Sequence, residues 1–287
     1  MDRRNTIQRF LDAGILATPE LVAQATDANI DSLITSAAQP KPAPSGDIAY
    51  TIEPVQTPNK LTVSDFASAT QHTFQTLRDL LAKKVPAVSI QHAKPGSEIA
   101  VIGRVREHGQ KGFVLDDGTG TLSVASPTLP EREDIIGVRG MIREGVLHAT
   151  DIIYPDIPLN RSRPALHGTI TIAAGGTGLA ADQLPNPARI HLHQGSEQAL
   201  LFFIRPFSPA DAKTATSWLQ RRHIDRPITA TTGPKDLFLL EQVPDILWVQ
   251  TDTAFAHPYK GVLIVSPGTG SATITISTGA VTFKKDS

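Results

Sequence analysis

The hydrophobic period changes from about 3.6 to about 2 at Glu98, and this change constrains the fold more than any other feature of the sequence. Upstream, between residues 64 and 84, Phe66, Phe74, Leu77, Leu80 and Leu81 mark one face of a helix. Downstream, Ile99, Val101, Gly103 and Val105 alternate with Ala100, Ile102 and Arg104, as the two faces of a strand require. Residues 111–115 and 121–124 read as the arms of a hairpin around Asp116-Asp117-Gly118-Thr119-Gly120. Residues 135–142, a turn at Gly145 and residues 146–154 complete a set of short strands. Such a set suits an OB-type β-barrel, and an up-and-down meander gives a similar pattern.

The flanks read differently. Residues 161–287 mix strands (167–173, 189–204, 237–240, 246–249, 261–265 and 272–276) with one clear helix over 209–222, the pattern of an α/β domain. In residues 7–34, Ile7, Phe10, Leu11, Ile15, Leu21, Val22, Ile30, Leu33 and Ile34 fall at helix-like spacings, which predicts two or three short helices. Gly14 ends the first, and Thr18-Pro19-Glu20 starts the next with a capping hydroxyl and a proline at the first helical position. Residues 37–60 shift to Pro, Ala, Ser and Thr, including Gln39-Pro40-Lys41-Pro42-Ala43-Pro44, and read as a stiff, extended linker. The expected division is therefore a helical module over 1–36, a linker over 37–60, a helix plus barrel over 61–160, and a further domain over 161–287. No internal repeat is visible.

Composition narrows the chemistry. The chain contains no cysteine, so any metal would be held by histidine and carboxylate. A net charge of −1 argues against strong autonomous nucleic-acid binding, because phosphate neutralisation by Lys and Arg supplies most non-specific affinity. The start Met1-Asp2-Arg3-Arg4 is unlike a signal peptide, and no apolar run reaches the roughly 20 residues of a membrane span. A soluble, cytoplasmic protein without a membrane partner is expected.

Two blocks of residues resemble a known family, the small (B) subunits of archaeal D-family DNA polymerases and the related B subunits of eukaryotic replicative polymerases. The first block runs from Asp65-Phe66 through Leu77-Arg78-Asp79-Leu80-Leu81 and Lys94-Pro95-Gly96-Ser97-Glu98 to Ile136-Gly137-Val138-Arg139-Gly140. It ends in Tyr154-Pro155-Asp156-Ile157-Pro158, an aromatic followed by Pro-Asp-x-Pro, which is its most specific signal. The second comprises Arg221-Arg222-His223, Val243-Pro244-Asp245-Ile246-Leu247, Tyr259-Lys260-Gly261-Val262 and Pro267-Gly268-Thr269, similar to the end of the family's calcineurin-like phosphoesterase domain. The fold the resemblance implies is α+β and multi-domain: an N-terminal helical module, an OB-type barrel and a truncated calcineurin-like phosphoesterase domain.

The family's phosphoesterases seat two cations with Asp-x-His, Gly-Asp, Gly-Asn-His and Gly-His-x-His motifs, since carboxylate and imidazole must fix both ions before water is activated. Here Ala174 and Gly176 stand where the Asp and His of the first motif belong, and Thr251 and Thr253 replace the late histidines. After that first loop no Gly-Asp or Gly-Asn-His follows, and the short interval from Ala174 to His193 implies a deleted segment. The resemblance thus implies an inactivated scaffold with no catalytic residues, no metal and no cofactor. It also implies a non-catalytic accessory subunit that scaffolds a polymerase large catalytic subunit in DNA replication, associated with the nucleoid and reaching DNA through the complex. Two alternatives stay open: a stand-alone single-stranded DNA-binding OB protein, and an active metal-dependent 3′-5′ exonuclease or phosphodiesterase.

Other residues carry a plain reading beside a functional one. Arg104, Arg106, Lys111 and Phe113 suggest a cationic and stacking surface for single-stranded DNA, or else an ordinary solvated barrel face. His191 and His193 point the same way along a strand but have no third ligand nearby in sequence, so they read as a polar strand edge or a motif remnant. Gly175-Gly176-Thr177-Gly178 lacks a Walker lysine, and Ser196 is not in a nucleophile elbow. Arg221, Arg222 and His223, at a helix end, are assigned to packing or subunit contact.

Overall fold

The computed structural model describes residues 3–12, 22, 25–26, 29–30, 47–54, 62–159, 161–176, 178–225 and 235–285 of a mixed α+β, multi-domain chain. It divides into two compact units, residues 1–44 and 45–287. In the first, α1 (Arg3–Asp12) is described, with Gln8 Nε2 donating to Asp12 Oδ1 at 2.8 Å. The expected helix start at Thr18-Pro19-Glu20 lies outside the described residues.

The second unit opens with β1 (Ala49–Ile52), which pairs antiparallel with residues 190–193. Part of the stretch read as a linker is therefore a sheet strand. Its Pro-rich surroundings masked the short Ala-Tyr-Thr-Ile run, whose β character depends on a partner far away in sequence. Next, α2 (Val63–Ala82) starts at Thr62, whose hydroxyl accepts from the Asp65 N–H at 3.3 Å while Asp65 Oδ2 accepts from the Thr62 N–H at 2.8 Å.

The period-two region forms β2 (Glu98–Gly109), β3 (Gly112–Asp116), β4 (Thr121–Ala125), β5 (Ile135–Arg143) and β6 (Val146–Ile153). These close into a barrel in the order β2-β3-β4-β6-β5, with β4 and β6 its parallel pair. Val101, Val105, Phe113, Leu115, Val124, Ile136, Val138 and Leu147 fill it. Two glycines allow strands to approach closely: a Cβ on Gly112 would lie 1.8 Å from the Val124 carbonyl oxygen, and one on Gly140 2.1 Å from that of His148. The turn between β3 and β4 is held by Asp117, whose Oδ1 accepts from the Thr119 and Gly120 N–H groups and whose Oδ2 accepts from the Ile90 N–H.

The remainder comprises β7 (Thr169–Ala173), β8 (Leu179–Ala180), β9 (Ala188–Gln194), β10 (Glu197–Ile204), α3 (Ala212–Arg221), β11 (Ile246–Val249), β12 (Ala254–Tyr259), β13 (Val262–Pro267), β14 (Ser271–Thr275) and β15 (Ala280–Lys284). A six-stranded sheet, β1-β9-β10-β11-β13-β12, faces a four-stranded one, β15-β14-β7-β8. Ile172, Ile190, Leu201, Phe203, Trp248, Val265 and Ile274 pack between them. On the other face of the larger sheet, Ala215, Trp218 and Leu219 of α3 cover Phe202, Ile204, Leu247, Val249 and Ile264. Strands β10, β11 and β13 run parallel and are buried on both faces, which explains their continuous apolar sequences. Residues 237–240, expected as a strand, contribute only an isolated bridge between His223 and Leu239. The apolar run is instead core filler: Phe238 and Leu240 pack under α3, while Leu239 joins Phe74, Leu77 and Leu81 of α2 and Ile102 and Ile135 of the barrel.

Candidate functional site

Strands β7 and β11 both end beside the turn 267–270. The Ala174 N–H donates to the Gly270 carbonyl at 3.0 Å, and Gln250 Nε2 donates to the Gly268 carbonyl at 2.8 Å. Fold topology therefore brings the loops at 174–176 and 251–253 beside the same turn, with the Asp182 carboxylate next to Gly175. The Gly176 carbonyl accepts from Gln183 Nε2 at 2.6 Å. Thr251 Oγ1 donates to the Thr253 carbonyl and lies 3.0 Å from Ser266 Oγ, and the Thr253 N–H returns a bond to Thr251 Oγ1 at 3.4 Å. The side chains at 174, 176, 251 and 253 bring no carboxylate or imidazole. Among the described residues no group of three His, Asp or Glu side chains converges to hold a cation.

The four barrel residues singled out for DNA do not come together. Phe113 is 2% exposed in the barrel core, so its ring offers no stacking face; the β2 bulge between Val105 and Glu107 shifts the pairing with β3 that sequence alternation alone would suggest. Lys111 lies at the β2–β3 turn, beside a shallow cleft of about 540 Å³ that also includes Ser126, Leu129 and His148. Arg104 and Arg106 instead line a groove of about 760 Å³ between α2 and the barrel, with Phe66, Phe74 and Arg78. Both are engaged. Arg104 lies over the Phe74 ring at 5.5 Å and 3.6 Å from Glu133, and Arg106 Nε donates to Asp116 Oδ2 at 2.9 Å. Burial pushes the Asp116 carboxyl up, but the Gly118 N–H and the Arg106 guanidinium outweigh it and hold the group below its usual range.

The best-connected polar residues lie where the barrel meets the sandwich. Asp156 adopts a left-handed φ of +40° at the barrel exit. Its Oδ1 accepts from the Ile157 N–H at 2.7 Å and the Tyr259 hydroxyl at 3.1 Å, and its Oδ2 is paired with Lys260. Its N–H donates to Gln220 of α3 at 2.7 Å, while Lys84, just past α2, donates to the Pro155 carbonyl. Next to it, Arg221 is 8% exposed and joins three carboxylates: Glu131 at 2.6 Å, Asp225 at 2.8 Å and Asp134 at 3.5 Å. Burial raises the Asp134 carboxyl to about 6 despite Arg221. Arg222, at φ +59°, donates to the Leu240 and Glu241 carbonyls, and burial lowers its pKa to about 10. His223 Nε2 lies 2.8 Å from Asp236 Oδ2, which also accepts from Thr73 of α2 at 3.2 Å. The Arg221-Arg222-His223 run thus serves three separate internal contacts. Asp134 and Lys84 were missed by sequence reasoning, since neither belongs to a motif and their importance comes from who faces them.

His191 and His193 lie with ring centroids 6.3 Å apart. His193 Nε2 is 3.1 Å from Thr51 Oγ1, and His191 Nε2 is 3.7 Å from Glu53, so β1 supplies their neighbours. No described helix is long and apolar enough to cross a membrane.

No family model matches the chain. It is 31% identical over 110 residues to the DNA polymerase II small subunit of Archaeoglobus fulgidus, a match that covers 34% of this chain and 22% of that relative. Part of the chain is thus linked, at a distance, to the family of archaeal DNA polymerase II small subunits.

Proposed function

We propose that this chain is a non-catalytic accessory subunit of a D-family DNA polymerase, a docking scaffold for the large catalytic subunit built from an OB-type barrel and a degenerate calcineurin-like phosphoesterase domain. The observation that carries this reading is the pair of loops after β7 and β11, brought side by side by the fold yet furnished with Ala174, Gly176, Thr251 and Thr253. Methyls and neutral hydroxyls do not balance two divalent cations. The strand order β2-β3-β4-β6-β5, with its parallel β4–β6 pair, supports the OB assignment. The two-sheet sandwich supports the phosphoesterase-like one, with residues 61–160 and 161–287 as the two domains. The partial similarity to a polymerase small subunit supports the partner class. The engaged state of Arg104 and Arg106 and the burial of Phe113 favour DNA contact through the complex over a stand-alone single-stranded DNA-binding role.

Co-expression with a D-family large subunit tests the reading: the two chains are expected to co-elute on size exclusion. The isolated chain is expected to leave labelled single-stranded DNA intact with manganese. Separate elution, or manganese-dependent cleavage abolished by Thr251→Ala, would overturn it.

A further inference from the structure

Where the barrel meets the sandwich, a cavity of about 290 Å³ opens between α2, the start of β5 and the end of α3. Arg221 stands at its wall and meets Glu131, Asp134 and Asp225, three carboxylates to one guanidinium. Glu131 and Asp225 keep 66% and 51% of their side-chain surface, so water carries much of their charge. Asp134 keeps only 6%. It meets Arg221 at 3.5 Å through Nη1, the nitrogen that Glu131 already holds at 2.6 Å. A third negative charge at this point is shielded from water and shares its cation.

Strain sits in the turn that carries Asp134. Glu133 takes a left-handed φ of +71° without being glycine. Two hydrogen bonds tie the turn to β2: the Glu133 N–H donates to the Val105 carbonyl at 2.8 Å, and the Val105 N–H to the Asp134 carbonyl at 2.9 Å. Asp134 Oδ2 closes the turn by accepting from the Glu131 N–H at 2.9 Å. The other titratable groups here are committed elsewhere. Tyr154 is neutral, its phenol pushed up to about 12 by burial and by the charge of Asp134. Arg104 and Arg132 face Glu133 at 3.6 and 4.0 Å, and His223 faces Asp236 at 2.8 Å. From α2 the cavity receives Thr70, Thr73 and Leu77.

We propose that residues 131–134 form a proton-sensitive latch between barrel and sandwich, closed over Arg221 while Asp134 carries a proton and opening the cavity to water once that proton is lost. Neutral Asp134 leaves Arg221 with two solvated partners. Ionised Asp134 adds a charge that only an opened turn can hydrate. The closed turn holds the proton more tightly, because burial raises the carboxyl from 3.8 to about 6. In the open turn the group returns to its ordinary value, so the latch is firmest below about pH 4 and loosens as pH rises through 6. The latch follows from this seam alone and does not rest on the polymerase-subunit reading.

Amide hydrogen exchange on the full chain tests the latch, with rates corrected for their intrinsic dependence on pH. Protection at the Val105 and Glu133 amides is expected to lie below that of the β2–β5 ladder and to fall about tenfold between pH 5 and pH 7.5. Asp134→Asn, neutral throughout, is expected to abolish that fall. Should this variant misfold, a carbon-13 titration of the natural chain's carboxyls is expected to place Asp134 well above the ordinary carboxylate range. Histidine changes charge in the same interval, so a fall that persists in Asp134→Asn would point to His223 and overturn the latch. Constant protection at both amides, exchange of both at the rate of the β2–β5 ladder, or an Asp134 midpoint near the ordinary value would each overturn it as well.

Discussion

Asp156 illustrates how one side chain turns a chain crossing into a joint. It combines a left-handed backbone with acceptors for Ile157, Tyr259 and Lys260, so the stretch leaving the barrel is held against the β12–β13 turn. Asp156→Ala removes every one of these contacts and adds the steric cost of a Cβ without a local hydrogen bond, and should lower stability by about 2–4 kcal/mol. Asp156→Asn keeps the neutral acceptor and tolerates the backbone, so urea denaturation should show a loss nearer 1 kcal/mol, the Lys260 pair being only partly buried. Asp134 behaves oppositely. Its carboxyl is raised from 3.8 to about 6, so the folded chain holds a proton that the unfolded chain releases. Its contribution is therefore most favourable below about pH 4 and is lost as pH rises through 6. Relative to the natural chain, Asp134→Asn should gain on the order of 1–3 kcal/mol between pH 4 and pH 7, read from denaturation curves at each pH. A flat difference across that range would contradict the assigned burial.

At the scale of elements, closure of the barrel depends on Gly112 and Gly140, where a Cβ would meet a neighbouring backbone carbonyl. Gly112→Ala should cost at least ~2 kcal/mol and weaken the barrel's own amide protection, whereas Gly118→Ala is strained by its φ of +83° but meets no neighbour. Hydrogen exchange distinguishes the two. The barrel strands, α2 and α3 were legible in the sequence because each carries a complete period of its own: alternation in Glu98–Gly109, a capped amphipathic face in Val63–Ala82. Strand β1 was not legible, because four exposed residues have no period and acquire strand character from β9. Residues 237–240 misled for the converse reason: an apolar run that fills space between layers reads the same as a buried strand. The lack of carboxylate and imidazole at positions 174, 176, 251 and 253 was readable directly, since it is a matter of residue type. The separation of Lys111 and the buried Phe113 from the Arg104–Arg106 pair depends on how β2 and β3 pair around a bulge, which leaves no trace in composition.

Across residues 45–287 as a whole, the barrel and the sandwich share a wall. Leu239 packs against α2 and the barrel together, and Arg221 reaches from α3 to Glu131 and Asp134 at the start of β5. Arg221→Ala would leave Asp134 buried without its partner, a change expected to cost about 3–5 kcal/mol and to separate one urea transition into two. A single transition in that variant would show that apolar packing alone couples the halves. Both tryptophans, Trp218 and Trp248, lie on the sandwich side of this wall, in its two core layers. Indole emission is consequently blind to the barrel. Fluorescence and far-UV dichroism followed on one sample will trace the same curve while the wall holds and will diverge once it fails, so the natural chain carries its own one-sided reporter.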